Sequence, residues 1–179
     1  SIITAIALPF GTDATKYDFC EKVGVMLSGY VYHDRSNDGI YDRPGEQSIA
    51  GVTLKLLDAN GNDTGLRATT DATGFYKFTN LAAGKYSVME VQPAGWLDGI
   101  DTPGSLGGVA DTAIGADMLS QIMLTWGTNG TEYNFGELLP GSIAGRVHAD
   151  PGEDCDFDNP TNHWLGGVQI DLLDGEGTV

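Results

Sequence analysis

Apolar and polar residues alternate in short runs along most of the chain. In "GVTLKLL" at 51–57, Val52, Leu54 and Leu56 share one face. In "GFYKFTNL" at 74–81, Tyr76 and Phe78 oppose Phe75 and Lys77, and in "GKYSVMEV" at 84–91, Tyr86, Val88 and Glu90 align. A period of two is the signature of a strand with one face buried. "SQIMLTW" and "TEYNFGE" add two further segments, and "DANGN", "DATG", "LAAGK" and "QPAGW" supply turns between them. No stretch carries a sustained helical period with caps. The pattern predicts an all-β protein, an antiparallel β-sandwich.

The same pattern repeats. "KYDFCEKVGVMLSGYVYHD" at 16–34 returns as "EYNFGELLPGSIAGRVHAD" at 132–150, so that Tyr17 and Tyr133, Gly29 and Gly145, and Asp34 and Asp150 are each 116 residues apart. The expected organisation is therefore the closing part of one repeat at 1–28, a complete repeat at 29–144 and the opening part of another at 145–179. The closing and opening parts belong to one sandwich in a complete copy, so they are complementary. Pairing with neighbouring repeats, or head to tail with copies of the same chain, is the expected mode of assembly.

Charge narrows the function. Among 179 residues, Lys and Arg total 9 against 25 Asp and Glu, for a net charge of −16. Nucleic acid and anionic membranes, which are bound through clustered Lys and Arg, are poor partners. No apolar run approaches the 18 or so residues of a membrane span. The apolar start "SIITAIALPF" has no basic region ahead of it and no small-residue cleavage site, so it does not read as a signal peptide. Two cysteines, Cys20 and Cys155, exclude a disulfide framework. No nucleophile elbow, phosphate-cradling loop or metal-spaced histidine set is present, and no enzymatic activity is expected.

The informative stretch is "DRSNDGIYDRPGE" at 34–46. Two carboxylates about 4 Å apart repel by roughly 4 kcal/mol at an effective dielectric near 20, so such a cluster calls for a compensating charge. Read as a calcium loop of the D-x-[DN]-x-[DN]-G type, Asp34 takes position 1, Ser36 position 3, Asp38 position 5 and Gly39 the turn at position 6. Ile40 offers its carbonyl at position 7 and Asp42 lies at position 9. Position 3 is Ser rather than Asp or Asn, with Asn37 beside it. Position 12 is Gly45, so Glu46 comes one residue late. The competing reading is a solvated acidic turn with Arg35 and Arg43 as counterions. In the third copy Asp150, Asp154 and Asp158 stay in register, with Asp156 at position 7, Gly152 at position 3 and Cys155 replacing the glycine.

Together, "GYVYHDRSNDGIYDRPGEQSIAGVTLKLLD", "TTDATGFYKFTNLAAGKYSVMEVQPAGW" and "YNFGE" resemble the B-type repeat of serine-aspartate repeat surface proteins, within the collagen-adhesin B-type group. The resemblance covers the complete copy and both partial ones. It implies an Ig-like, prealbumin-like sandwich that binds Ca2+ and serves as an extracellular stalk at the bacterial surface. It implies Asp34, Asp38, the Ile40 carbonyl and Asp42 as ligands, with Ser36 and Glu46 completing the set. It also implies further calcium sites, for which the acidic turns at Asp71 and at Asp98 and Asp101 are candidates. Relatives form Lys–Asn or Lys–Asp isopeptide bonds. Glu90 matches the catalytic carboxyl of that reaction and Asn134 lies on the last strand, but the first strand, "LSGYVYHD", has no lysine. The alternatives to a calcium-binding stalk are an adhesive domain with an extracellular protein or glycan ligand, for which Trp96, Trp126 and Trp164 are candidate stacking surfaces, and a self-crosslinking module.

Overall fold

The structure is a computed structural model that describes residues 3–19, 21–111, 117–153, 156–173 and 175. Asp154, Cys20 and Cys155 lie outside the described residues. The chain divides into two units, Ser1–Pro140 and Gly141–Val179.

The first unit is a two-sheet sandwich. One sheet holds β1 (Val25–His33), β4 (Phe75–Leu81), β6 (Leu97–Asp98) and β9 (Phe135–Leu138), in the order β4-β1-β9-β6. The other holds β2 (Thr53–Leu57), β3 (Asp63–Thr69), β5 (Gly84–Val91), β7 (Val109–Ala110) and β8 (Met118–Leu124), in the order β3-β2-β5-β8-β7. Every pairing is antiparallel except β1 with β9, which run parallel with His33 opposite Glu137. Residues 3–19 are exposed and carry no strand.

The inward residues of the two sheets form one core. Leu27, Val31, Tyr76, Phe78 and Phe135 come from the first sheet, and Leu54, Leu56, Val88, Leu119, Ile122 and Leu124 from the second. The faces expected from alternation hold: Val52, Leu54 and Leu56 are buried, as are Tyr76 and Phe78, whereas Lys77 is exposed. Strand β3 escaped the sequence reading because five consecutive residues from Asp63 to Arg67 are exposed and only Ala68 turns inward. Strand β8 breaks its own period. Gln121 has φ +58°, and Leu119 and Ile122, three apart, both face the core.

Close backbone approach explains one glycine. A Cβ on Gly29 would lie 1.7 Å from the carbonyl oxygen of Tyr133. That carbonyl accepts the buried Tyr76 hydroxyl at 2.8 Å.

The second unit contains a short antiparallel pair, β10 (His148–Ala149) and β11 (His163–Trp164). His148, Phe157 and Trp164 pack edge to face there, and the Arg146 guanidinium lies over the Trp164 ring at 5.3 Å.

Leu54 is wholly buried, whereas Leu66 is 46% exposed. Leu54→Ala is expected to cost about 2–5 kcal/mol in denaturant unfolding, and Leu66→Ala about 0.5 kcal/mol or less. Equal effects would contradict this division between core and surface.

Candidate metal centre

The 34–46 loop leaves the end of β1 and folds back on its own acidic side chains. Asp34 is fully buried. Its Oδ2 accepts the Gly39 amide at 2.7 Å, and its Oδ1 accepts the Asp38 amide at 3.2 Å and the Ser36 hydroxyl at 3.4 Å. Asp38 Oδ1 accepts the Ile40 amide at 2.9 Å. Gly39, at φ +74°, has no room for a side chain, since a Cβ would meet Ile100 Cγ2 at 2.7 Å and Thr102 Oγ1 at 2.9 Å. The Ser36 hydroxyl donates to the Asp34 carboxylate, whereas the Asn37 amide donates to the Asp34 carbonyl at 3.3 Å.

The late glutamate finds its place. The Glu46 amide donates to the Asp42 carbonyl at 2.8 Å, closing a turn over 42–46. Its side chain then spans the loop: Oε1 accepts the Arg35 amide at 2.8 Å and Oε2 the Asp42 amide at 3.1 Å. The extra residue is thus absorbed in the turn. The arginines do not act as the counterions of a solvated turn. Arg43 pairs with Glu132 at 3.3 Å and lies over the rings of Tyr30 and Tyr41, and among the described residues no ion pair joins Arg35 to the loop carboxylates. The donors are carboxylate, hydroxyl and carbonyl oxygens, the chemistry a hard cation requires. Asp38 and Asp42 are exposed.

The corresponding loop of the second unit is described at Asp150, Asp156 and Asp158. Asp150 Oδ1 accepts the Gly152 amide at 3.1 Å, and Asp156 Oδ1 accepts the Asp158 amide at 3.0 Å. Asp156 and Asp158 are exposed and Asp150 is half-buried. Asp71 caps its own turn, accepting from Thr73 and Phe75. Those hydrogen bonds, first from the Thr73 hydroxyl, lower its pKa.

Among the described residues, carboxylates converge elsewhere. Oxygens of Glu90, Asp117 and Glu137 lie within 4.8 Å of one another, as do those of Asp98, Asp101 and Asp117. Glu90 comes from β5, Asp117 from the residue before β8, Glu137 from β9, Asp98 from β6, and Asp101 from the segment after it. Pairing fixes them: the Glu90 amide donates to the Asp117 carbonyl at 2.9 Å, and Asp98 lies opposite Glu137. Glu90 is 3% exposed, Asp117 7%, Asp101 9% and Glu137 0%. Both Glu90 oxygens, Asp101 Oδ1, Asp117 Oδ1 and Glu137 Oε1 have no hydrogen-bond partner. Glu137 Oε2 accepts the Gln92 amide.

Burial raises the pKa of every member, and repulsion among them adds for all but Asp98, which a hydrogen bond with Asp117 holds down in part. Burial, then Glu137 and Asp117, pushes Glu90 well above the usual carboxylate range. Burial, with neighbouring aspartates adding, pushes Asp101 and Glu137 up to about 8. Burial likewise raises Asp117 and Asp98.

The phase of β5 anticipates an inward Glu90, and the structure rules out a surface carboxylate there. Asn134 Oδ1 accepts the Tyr30 amide at 3.0 Å, and its Nδ2 donates to Glu132 at 3.3 Å. The described lysines, Lys16, Lys22, Lys55, Lys77 and Lys85, are exposed or half-buried.

The two acidic regions share a wall. The Asp34 amide donates to the Glu137 carbonyl at 2.9 Å, and the Thr102 hydroxyl donates to the Gly39 carbonyl at 2.5 Å. Between them, burial raises the pKa of the Tyr32 phenol, and the charges of Asp34, Glu46, Asp38 and Asp101 add to the shift.

A model of the SdrD B-like domain matches residues 25–136. The chain belongs to the SdrD B-like domain family. Serine-aspartate repeat-containing protein F of Staphylococcus epidermidis is 32% identical over 160 residues, covering 86% of this chain and 9% of that protein. Serine-aspartate repeat-containing protein D of Staphylococcus aureus strain Newman is 35% identical over 160 residues, covering 86% and 11%. This SdrD B-like chain thus spans about a tenth of the relatives it matches. Among solved structures, the minor pilin GBS52 of Streptococcus agalactiae aligns with TM-score 0.43 and 14% identity, over 70% of this chain and 49% of the pilin. The major pilin BcpA of Bacillus cereus aligns with TM-score 0.38 and 16% identity, over 64% and 28%.

The raised carboxyls give a pH dependence with a definite sign. Between an unfolded pKa of about 4 and folded values of about 8, the folded state holds protons that the unfolded chain has released. Stability therefore falls as pH rises through that window. In chelator, the urea midpoint of this SdrD B-like domain is expected to drop between about pH 5 and about pH 8, and Glu137→Gln is expected to flatten the slope. A midpoint that holds or rises across that range would contradict the assignment.

Proposed function

We propose that this chain is a calcium-loaded structural module. It is a β-sandwich spacer of a large extracellular bacterial protein, in which the 34–46 loop holds Ca2+ through Asp34, Ser36, Asp38, the Ile40 carbonyl, Asp42 and Glu46. The observation that carries the reading is the path of Glu46. Its carboxylate reaches both arms of the loop, at Arg35 and Asp42, and supplies the closing acidic ligand that the sequence spacing alone withholds. Within this reading, residues 29–144 are one repeat, and 1–28 and 145–179 belong to its neighbours. The loop at Asp150, Asp154, Asp156 and Asp158 is a second, weaker calcium loop.

The physical role of the ion is electrostatic. It offsets the repulsion among Asp34, Asp38, Asp42 and Glu46 and fixes the loop against β1. The module's partners are neighbouring repeats or further copies of the chain, joined head to tail. It performs no chemistry on a substrate, and its place is the bacterial surface. Among the described residues no helix is long and apolar enough to cross a membrane.

A cation that binds only the folded state stabilises it by about 2.7 kcal/mol at 100 times its dissociation constant. Extracellular calcium modules bind at roughly 10⁻⁴–10⁻³ M. Hydrogen exchange of peptides covering 34–46 is expected to slow in millimolar calcium relative to chelator, and Asp38→Ala is expected to abolish that slowing. Identical exchange in calcium and chelator would overturn the loop assignment.

A further inference from the structure

We infer that Arg43 is a positioning residue for the 34–46 loop: its guanidinium staples the far arm of the loop to the outer face of the four-stranded sheet and so presets the loop for a cation. This role rests on the calcium reading of that loop.

Backbone bonds tie the loop only at its base. The His33 amide donates to the Gln47 carbonyl at 2.8 Å, and Tyr32 bridges Ser48. The arm that carries Asp42 and Arg43 lies beyond these ties and meets the sheet through side chains. Val31 faces the core, so Tyr30 and Tyr32 face the other way. Tyr41 stacks on the buried Tyr32 at 4.5 Å and lies 5.5 Å from Tyr30, which packs 5.2 Å from Phe75 of β4.

Arg43 closes this row of rings. Its guanidinium lies 4.3 Å from the ring centre of Tyr30 and 4.9 Å from that of Tyr41, and its Nη2 pairs with Glu132 at 3.3 Å. Glu132 accepts the Asn134 side-chain amide, and Asn134 Oδ1 accepts the Tyr30 amide. One side chain thus joins the arm to β1 and to the segment that leads into β9. A planar guanidinium is suited to stack on rings and pair with a carboxylate at once, which an ammonium is not.

The second unit supplies an independent observation. Its residues 116 positions on are Arg146 for Tyr30, His148 for Tyr32, Phe157 for Tyr41 and Asn159 for Arg43. The arm has lost its arginine, yet an arginine has appeared on the strand. The ring contact between arm and strand persists, with Phe157 at 4.9 Å from His148. Arg146 lies 5.3 Å over Trp164, whose ring is 5.1 Å from Phe157. In both units, then, rings hold the arm against the strand and a guanidinium covers them.

Charge alone gives no reason for an arginine at position 43. It adjoins Asp42, and a fixed positive charge there opposes a divalent ion. Order offsets that repulsion. An arm already held on the sheet keeps the 42–46 turn closed, so less conformational freedom is lost when the ion binds.

The two roles open to Arg43 predict opposite signs. The probe is Ca2+ alone added to the full chain, with the calcium midpoint read from hydrogen exchange of peptides covering 34–46, so that other acidic groups do not contribute. Arg43→Met removes a positive charge, and a mere counterion would leave calcium binding tighter. The staple instead predicts a midpoint weakened roughly tenfold, the low end for loss of a group that orients metal ligands. Tyr41→Leu leaves the charge unchanged and is expected to weaken the midpoint in the same direction. In chelator, both variants are expected to speed exchange of the Asp42 and Glu46 amides. Tighter binding in Arg43→Met, or unchanged exchange of those amides in chelator, overturns the staple while the loop reading stands. A native loop whose exchange ignores calcium overturns the loop reading and the presetting with it.

Discussion

Negative charge withdrawn from water at the parallel junction of β1 and β9 is the constraint around which this sandwich is arranged. His33 lies opposite Glu137 there, and the next amide, that of Asp34, donates to the Glu137 carbonyl at 2.9 Å. One peptide thus ties the first acidic side chain of the loop to the innermost carboxylate of the buried cluster. Apolar packing alone would not require either group. Leu27, Val31, Leu54, Leu56 and Phe135 already fill the interlayer space, and each buried carboxylate works against the stability they supply.

The two acidic regions solve the same electrostatic problem by different means. In the loop, Asp34 is enclosed by the amides of Asp38 and Gly39, and Glu46 by those of Arg35 and Asp42. Backbone N–H groups therefore take part of the charge before any ion arrives. In the cluster fewer amides are free to do so: that of Glu90 serves the Asp117 carbonyl, while Asp101 still draws on the Gly136 backbone. The loop carboxylates are carried on one short turn, whereas those of the cluster are carried on segments whose sheet register brings their backbones together.

Much of this was legible in the sequence, and the boundary is physical. Alternation exposes the faces of β2, β4 and β5, because one side of each is core and the other solvent. It also turns Glu90 inward, in phase with Tyr86 and Val88. Linear spacing marks the loop, since its acidic side chains recur within one short stretch of chain. It does not register the turn over 42–46 that carries the Glu46 side chain back to the Arg35 and Asp42 amides. Strand β3 was hidden by its exposed face, whereas β8 was legible in part as "SQIMLTW" although the bulge at Gln121 breaks its alternation. The cluster was hidden by topology. Asp98 and Asp101 were recognisable as an acidic turn, but Asp117 and Glu137 join Glu90 only once β9 crosses to pair with β1 and β8 pairs with β5.

That topology also sets how the acidic regions communicate. Thr102 donates to the Gly39 carbonyl from the residue next to Asp101, and Ile100, on the other side of Asp101, packs where a Gly39 side chain would stand. The Tyr32 hydroxyl, buried and without a hydrogen-bond partner, senses the charges of both regions. The 98–102 segment thus abuts the loop turn through the Thr102 hydrogen bond and the space that Ile100 occupies beside Gly39. In a protein carrying 25 acidic against 9 basic residues, each neutralised carboxylate also lessens the repulsion felt by its neighbours, over a range of about 8–10 Å at physiological salt. The two regions meet at the β1–β9 junction, where the Asp34 amide donates to the Glu137 carbonyl, so charge compensation at either place is felt across that one pairing.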